Sequence, residues 1–242
     1  MDFYTQESAA VLQALQADRQ GLSAAEAEAR LARHGKNKLV EGKRKSLFSR
    51  FMAQLADPMI IVLLVAAVLS GVTSAYAGES FADVFIILFV VVLNAVLGVV
   101  QESKAEEAIA ALKEMTASTS KVWRSGQLTH IKSEDLVTGD VIMLEAGDAV
   151  PADARILECS SMKVEEAALT GESVPVLKTS DALGTSGSLS LGDRKNMVYM
   201  GSTVVYGRGK AVVTATGMQT EMGKIACALA QSEEGLTQLQ IK

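Results

Sequence analysis

Thr170, Gly171, Glu172 and Ser173 form the stretch of this sequence in which chemically active side chains stand in a turn rather than in a periodic element. Glycine lets the backbone approach another group closely, and Thr and Ser form local hydrogen bonds. Pro175 favours an extended conformation for the residue before it. We therefore expect the Glu172 carboxylate, a group suited to proton transfer, at the tip of a loop. Taken alone, this stretch is better explained as a solvated glutamate in an ordinary turn. The surrounding sequence must therefore decide whether Glu172 has a chemical function.

The setting is a series of short β-branched runs after Ser118, separated by glycine-containing turns. The predicted strands are Val122–Arg124, Leu128–Ile131, Val141–Leu144, Ala154–Glu158, Val164–Ala167, Met197–Met200, Thr203–Tyr206 and Ala211–Thr216. Gly207–Gly209 is predicted as the turn between the last two strands, and the polar residues 180–194 as a surface loop. About eight strands over roughly a hundred residues favour a compact jelly-roll or distorted barrel, with Trp123 as a large side chain of its core.

Helices are predicted on both sides of this β-rich region. Ser23 and Glu26 have the spacing of a capping box and predict a helix over residues 24–34. Apolar residues that share one face predict a preceding helix around residues 7–17. Residues 220–231 are predicted as a short helix after the last strand.

Two long apolar runs, Pro58–Ala77 and Phe81–Val100, match the thickness of the hydrocarbon core of a membrane. Basic residues precede the first run and place that flank on the cytoplasmic side: Lys43, Arg44, Lys45 and Arg50. The connection between the runs is short, so the second run must return antiparallel to the first. Strong helix formers continue to Met115, which predicts one helix of about 52 Å over residues 81–115 that projects beyond the hydrocarbon layer.

Asp83 and Asn94 are the polar exceptions in the second apolar run. Polar groups inside a membrane are functional candidates by default. Asp83, however, lies close enough to the outer interface to be hydrated, and Asn94 can hydrogen-bond a neighbouring helix. We interpret both as structural residues.

The overall composition indicates that apolar residues are gathered into long runs. Hydrophobic residues make up 49% of the chain, although 21% of it is charged, and this segregation predicts the lipid bilayer as a partner. A net charge of −5 gives no broad basic surface, which excludes nucleic acid as an expected partner. Cys159 and Cys227 have neither metal-ligand nor redox spacing, and we interpret both as small core residues in a reducing compartment. The polar residues 1–45 contain no signal peptide.

Several further segments accompany the Thr-Gly-Glu-Ser stretch in a fixed order: Thr138–Ile142, Gly147–Asp153, Gly201–Val205, and Thr216-Gly217 with Thr220 and Gly223. Each is weak alone. As an ordered set behind two apolar spans, they resemble the N-terminal part of a P-type cation-transporting ATPase, most similar to the calcium-pump branch. The resemblance covers essentially the whole chain but only about the first quarter to third of such a pump. Asp140, Asp148 and Asp153 are interpreted as turn and capping residues that accept backbone hydrogen bonds.

The resemblance implies a role for the loop in hydrolysing an aspartyl-phosphate intermediate. Glu172 would orient the attacking water and accept its proton. Gly171 would permit close approach to the phosphorylated domain, while Thr170 and Ser173 would fix the loop by hydrogen bonds. ATP and Mg²⁺ would be bound by phosphorylation and nucleotide domains of the same polypeptide, outside this chain. We assign no cofactor-binding or metal-binding residue within it, and Ca²⁺ is the expected transported cation.

The predicted fold is an α+β membrane protein with N-terminal helices, a two-helix transmembrane hairpin and an all-β jelly-roll-like actuator domain. The expected boundaries are a cytosolic helical segment (1–45), a juxtamembrane segment with the first transmembrane helix (46–77), the second transmembrane helix with its cytosolic extension (78–118), the actuator domain (119–231) and a linker towards a third span (232–242). The expected location is the cell membrane, multi-pass, with the N-terminus and the β domain cytoplasmic.

The sequence contains no Asp-Lys-Thr-Gly-Thr phosphorylation motif, so we expect a fragment of a larger polypeptide that is inactive alone. Two alternatives stay open. The chain could be a non-enzymatic, membrane-anchored β module that acts as a regulator or scaffold. It could also belong to a pump for another cation, such as Na⁺, H⁺ or Mn²⁺.

Overall fold

The structure, a computed structural model, describes residues 2–39, 46–78, 80–115, 118–184 and 189–233. The chain divides into two compact units, one formed by residues 1–40 with 117–242 and the other by residues 41–116. We call the first the β unit and the second the helical unit. The predicted basic residues 43–45 lie outside the described residues.

The α-helices are α1 (Ser8–Ala14), α2 (Ala24–His34), α3 (Leu47–Leu55), α4 (Pro58–Ala77), α5 (Ala82–Met115), α6 (Ala167–Thr170) and α7 (Glu221–Glu233). Short 3-10 helices lie at Phe3–Thr5, Ser133–Asp135 and Gly217–Gln219. The strands are β1 (Thr119–Arg124), β2 (Gln127–Lys132), β3 (Val141–Glu145), β4 (Asp153–Glu165), β5 (Val176–Leu177), β6 (Met197–Val198) and β7 (Thr203–Ala215). Helices, apolar spans and an antiparallel sheet together confirm the α+β fold class.

In the helical unit, α4 and α5 are long and apolar enough to cross a membrane. The Asp57 side chain caps α4 by accepting a hydrogen bond from the Met59 backbone, and Gly78 ends the helix in the left-handed conformation. A helix is thus confirmed at the residues predicted for the first span. With 34 residues, α5 is about 51 Å long, which confirms one continuous helix ending at Met115.

Side chains along α4 and α5 show which faces of the two helices pack. Ile60, Ala67 and Ser74 are buried at a spacing of seven residues on α4, and Val91 and Ala95 are buried on α5. Most of the remaining large apolar side chains on the two helices are exposed, for example Phe85 at 71%. Exposed apolar faces of this length are typical of helices whose solvent is lipid. Asp83 and Asn94 are both exposed, and Asp83 lies in the favourable first turn of α5.

The helical unit also contains the amphipathic helix α3, which the sequence analysis did not predict. Ser46 caps it through a hydrogen bond from the Ser49 backbone. The Arg50 side chain is only 6% exposed, and its guanidinium lies 2.6 Å from the Glu106 carboxylate. Arg50 therefore joins α3 to α5.

The β unit contains an antiparallel sheet with strand order β2-β1-β3-β7-β4-β5, and β6 pairs with β4. The prediction of four short strands over 154–167 and 203–216 is wrong, since most of these residues form the long strands β4 and β7. Gly207–Gly209 is likewise a stretch of β7 and not a turn between strands. The glycines of residues 207–209 were interpreted as turn residues. The register between β4 and β7 shifts at several points, and a glycine at such a bulge can remain inside a strand.

The main core of the β unit lies on one side of this sheet and is built from small aliphatic side chains such as Val122, Ile142 and Ile156. Trp123, predicted as a large side chain of the domain's core, packs against a second core cluster and not against the main one. Its ring is partly buried in a second cluster with Val11 of α1, and the Lys210 ammonium lies 4.3 Å from the ring centroid. A β-strand turns successive side chains to opposite faces, so Trp123 points away from the core that Val122 enters.

The two cysteines occupy different environments. Cys159 is partly buried against the main core, and burial raises the pKa of its thiol. Cys227 is exposed on α7, so its interpretation as a core residue is wrong. Its exposure follows from the amphipathic character of a helix that lies on the surface of the β unit.

Residues 2–39 pack on the sheet and are held there by buried polar side chains. Helix α2 is confirmed at residues 24–34, with Ser23 accepting the Glu26 backbone N–H, whereas α1 is shorter than predicted because Gln16 adopts a positive φ. The buried Arg155 donates to the carbonyl oxygens of Phe3 and Gln6, and the buried Arg30 and Asn37 make similar bonds across the same boundary. The N-terminal helices are therefore part of the β unit.

Candidate functional site

The Thr-Gly-Glu-Ser loop lies between β4 and β5 and begins in the single-turn helix α6. The carbonyl oxygen of Glu166 accepts hydrogen bonds from the backbone N–H groups of Leu169 and Thr170, and Gly171 donates to the carbonyl of Ala167. Gly171 then ends the turn with φ of +77°, a conformation that glycine adopts at little cost. This reversal separates the helical turn from the residues that follow.

At the loop tip, which we define as residues 171–175, the side chains face solvent. Glu172 is exposed, as are Ser173 and Val174. The backbone N–H of Glu172 donates to Thr170 Oγ1 over 3.3 Å, and the same hydroxyl donates to the Glu166 carbonyl over 3.0 Å. Thr170 therefore makes the local hydrogen bonds expected of it, while the Ser173 hydroxyl has no hydrogen-bond partner within the described ranges.

Gly171 has open space around it. A Cβ atom built on Gly171 would meet no atom within 4 Å. The chain itself therefore needs glycine here for the backbone conformation and not for packing. The same open space leaves room for another molecule or domain to approach the loop tip.

At the loop base, Glu166 and Lys178 form a buried ion pair that the sequence analysis missed. Lys178 Nζ lies 2.6 Å from Glu166 Oε1, and both side chains are fully buried. Glu166 precedes α6, and Lys178 directly follows β5. The pair therefore joins the two chain segments that enter and leave the loop.

The electrostatics of the buried pair are those of charges taken out of water. Burial raises the pKa of Glu166 and lowers that of Lys178, while each partner's charge opposes the shift. The second carboxylate oxygen, Glu166 Oε2, is buried with no hydrogen-bond partner among the described residues. Buried polar atoms without a partner are rare in folded proteins, so this arrangement requires an explanation beyond packing.

Apolar contacts hold the rest of the loop base. Leu169 packs against a cluster formed by Tyr4, Met197 and Tyr199. Burial raises the pKa of the Tyr199 hydroxyl above its ordinary value. Gly192, in the segment that leads to β6, lies beside the Thr170 side chain, since a Cβ atom built on Gly192 would be 3.4 Å from Thr170 Cγ2. Residues from the N-terminus and from two later segments thus converge beneath the loop.

The three aspartates of the ordered motifs accept backbone hydrogen bonds, which confirms their interpretation as turn and capping residues. Asp140 accepts the Val137 N–H and also pairs with Arg124. Asp148 accepts the Glu145 N–H. Asp153 accepts the N–H groups of Met200 and Glu221, and burial raises its pKa to about 6.

Glu172 combines exposure with a position at a turn tip. An exposed carboxylate can accept a proton or orient a water molecule for a group brought to it. Across the described ranges, no three His, Cys, Asp or Glu side chains are grouped as a metal centre would require.

Comparison with known proteins gives the family of the chain. The family model of the P-type ATPase actuator domain matches residues 114–230, and that of the cation transporter/ATPase N-terminus matches residues 3–70. Calcium-transporting ATPase 1 of Bacillus cereus is 45% identical over 226 residues, which are 92% of this chain and 25% of the relative. Calcium-transporting ATPase 1 of Lactococcus lactis is 43% identical over 242 residues, 100% of this chain and 27% of the relative.

A relative with a less specific name has a similar sequence identity to this chain. The probable cation-transporting ATPase F of Mycobacterium tuberculosis is 42% identical over 223 residues, 92% of this chain and 24% of the relative. The chain thus spans about a quarter of the length of the curated relatives it matches. The chain belongs to the P-type cation-transporting ATPases and carries their N-terminal module and actuator domain. The resemblance drawn from the sequence is confirmed.

Proposed function

We propose that the chain is the N-terminal part of an ATP-driven cation pump in the cell membrane, and that Glu172 promotes hydrolysis of its aspartyl-phosphate intermediate. The observation that supports this most directly is the exposed Glu172 carboxylate, presented beyond a left-handed Gly171 in the domain that matches the actuator. A glutamate packed inside the β unit could not reach a phosphate held elsewhere. The N-terminus and the β unit are proposed to be cytoplasmic.

The chemistry divides between this chain and the rest of the polypeptide. Formation of a covalent phosphate on an aspartate splits ATP hydrolysis into two steps. In the second step, Glu172 would orient a water molecule behind the phosphorus atom and accept its proton, which general-base catalysis makes about a hundred- to ten-thousandfold faster. ATP and Mg²⁺ would be held by the phosphorylation and nucleotide domains, and Mg²⁺ would offset the repulsion between the carboxylate and the phosphate.

Coupling to transport requires that Glu172 reach the phosphate late, since early hydrolysis would waste the phosphate before the cation had crossed. We propose that the β unit moves during the cycle and transmits force through the continuous helix α5. α5 ends at Met115, and β1 begins at Thr119. Insertion of several glycines after Met115 should therefore leave ATP hydrolysis active but reduce the number of cations moved per ATP. Unchanged stoichiometry would contradict the proposal.

The catalytic role is tested by Glu172→Gln in the full-length protein. The variant should form the phosphoenzyme from ATP at a normal rate and lose it about a hundredfold more slowly or worse, because the amide is no base. The measurement is decay of radiolabelled phosphoenzyme after an ATP chase. Glu165→Gln is the matched control, since Glu165 is an exposed glutamate on the adjoining strand β4. Unchanged decay in Glu172→Gln would refute the role and favour a non-enzymatic regulator or scaffold.

Ca²⁺ is the proposed cargo, because the chain is 43 to 45% identical to relatives named calcium-transporting ATPases. The mycobacterial relative is named only as a cation-transporting ATPase, so other cations are alternative cargoes. ATPase activity of the full-length protein in membranes, titrated with Ca²⁺, Na⁺, K⁺ and Mn²⁺, should saturate with Ca²⁺. Activation by Na⁺ or Mn²⁺ alone would replace Ca²⁺ as the cargo and leave the role of Glu172 intact.

A further inference from the structure

We infer that Glu166 and Lys178 are a pair of positioning residues, which closes the base of the loop and fixes the place of the Glu172 backbone. This inference rests on the proposed function of Glu172. It adds two residues to the hydrolysis step that neither touch the phosphate nor belong to the Thr-Gly-Glu-Ser sequence.

The first argument is the symmetry of the loop. Glu166 and Lys178 are 12 residues apart, and Glu172 lies midway between them. The backbone N–H of Lys178 also donates to the Met162 carbonyl over 2.8 Å, so the segment that leaves the loop is fixed to β4 at Met162. Ion pair and backbone bond together close the loop, and the exposed tip is the part left outside the closure.

The second argument is a continuous series of polar contacts from the buried pair to Glu172. Lys178 Nζ binds Glu166 Oε1 at 2.6 Å. The carbonyl oxygen of the same glutamate accepts the Thr170 hydroxyl at 3.0 Å, and that hydroxyl accepts the Glu172 N–H at 3.3 Å. Glu166 is thus held by its side chain and holds the loop by its main chain. A shift of Glu166 would be passed to Glu172 through Thr170.

The third argument is the free energy that burial of the two charges costs. Two charges buried together are often no more stabilising than two apolar side chains of similar size, whereas one left without its partner is strongly destabilising. The unpartnered Glu166 Oε2 makes this pair more costly still. An ion pair that contributes little net stability is best explained by the defined position it gives to its residues.

The test is Lys178→Met in the full-length protein, with phosphoenzyme formation and decay measured separately. We expect normal formation and a decay about ten- to a hundredfold slower, the size expected from misplacing a catalytic group by about 1 Å. Arg124→Met is the matched control, because Arg124, at the end of β1, also pairs with a fully buried carboxylate, that of Asp140 just before β3. The control should lose a similar stability and keep its decay rate.

A second variant separates positioning from general damage. If the pair acts only through Glu172, adding Lys178→Met to Glu172→Gln should slow decay no further, whereas a general structural defect would add its effect. Glu166→Met with Lys178→Met removes both charges and should fold even if the single variant does not. We expect this double variant to regain thermal stability but not the decay rate.

A readout that needs no turnover follows the loop itself. Glu172 is exposed, so a glutamate-specific protease can cleave after it, and Lys178→Met should accelerate that cleavage several-fold relative to Arg124→Met. If Glu172→Gln slows decay but Lys178→Met changes neither decay nor cleavage, the positioning role is wrong and the proposed function survives. If Glu172→Gln has no effect, the proposed function fails, whatever the pair does. Additive slowing in Glu172→Gln with Lys178→Met would also overturn the positioning role.

Discussion

The tip and the base of the same loop place two glutamates in opposite environments. Glu172 at the tip is exposed, and its side chain has no hydrogen-bond partner among the described residues. Glu166 at the base is fully buried against Lys178. The two side chains have the same chemistry, so the difference lies wholly in what surrounds them. Under the proposed function, the carboxylate that meets the phosphate lies in water, and the one that holds the loop in place is buried.

The comparison shows how one short loop can be both firm and accessible. Rigidity comes from the base, where buried charge and the Leu169 cluster restrict movement. Access comes from the tip, where Gly171 has no neighbour for a Cβ atom to meet. Catalytic groups act best when supporting contacts fix their geometry, and under the proposed function that support lies a few residues away from Glu172.

The largest expected difference between tip and base concerns stability. Glu166→Gln should lower the free energy of unfolding by about 3 to 5 kcal/mol, because it leaves Lys178 buried without an opposite charge. Glu172→Gln should change it by less than about 0.5 kcal/mol, as is usual for an exposed site. Urea unfolding of the chain in detergent can be followed by fluorescence of Trp123, the one tryptophan of the sequence, which lies in the β unit.

Glu166→Met with Lys178→Met is the control for that stability prediction. It should recover most of the loss, because neither charge remains buried alone. Equal effects of Glu166→Gln and Glu172→Gln would show that the base is no more constrained than the tip.

Asp153 is a second buried carboxylate, and its raised pKa predicts that stability depends on pH. Asp153 accepts two backbone N–H groups, and its pKa of about 6 lies above the reference value of 3.8. Between these values the folded state binds more protons than the unfolded state, so stability falls as pH rises from about 4 to 6 and then levels. The native protein should lose roughly 3 kcal/mol relative to Asp153→Asn over that range.

The measurement for Asp153 is urea unfolding of both proteins at several pH values. Other carboxylates titrate in the same range, and the difference between the two proteins removes their contribution. A difference that stays flat, or that grows in favour of the native protein as pH rises, would contradict the raised pKa.

The sequence predicts elements whose signals are local. The apolar run of Pro58–Ala77 and the capping residues of α2 define those helices almost to the residue. Glu172 is predicted at a loop tip because Gly171 and Pro175 act on their immediate neighbours. Each of these features depends on residues within a few positions of one another.

The missed features depend on contacts between distant segments. The Glu166–Lys178 pair forms only when β5 returns beside β4, and the bulges that extend β4 and β7 depend on each strand's partner. One signal was available, because the alternation of buried Met162 and Val164 in β4 continues one residue beyond the strand and turns Glu166 inward. A buried glutamate without an opposite charge is strongly destabilising, and in this fold Lys178 provides that charge.

A smaller effect should distinguish backbone geometry from packing at the tip. Gly171→Ala should cost about 1 kcal/mol of stability, because a residue with a Cβ atom is strained at a φ of +77°. Gly171→Asn should cost less, since asparagine tolerates this conformation better. Urea unfolding measures both variants. A cost in Gly171→Ala far above that value would mean that the tip is packed against the rest of the chain.

The smallest expected effect belongs to Ser173. Its hydroxyl is exposed and bonds to nothing within the described ranges, so Ser173→Ala should change the free energy of unfolding by less than about 0.5 kcal/mol. Thr170→Ala should cost about 1 kcal/mol, because its hydroxyl links Glu166 and Glu172. With stability unchanged as predicted, slower phosphoenzyme decay in Ser173→Ala would locate a contact with the phosphorylated domain. A stability loss as large as that of Thr170→Ala would place the Ser173 hydroxyl at the base and contradict its assignment to the tip.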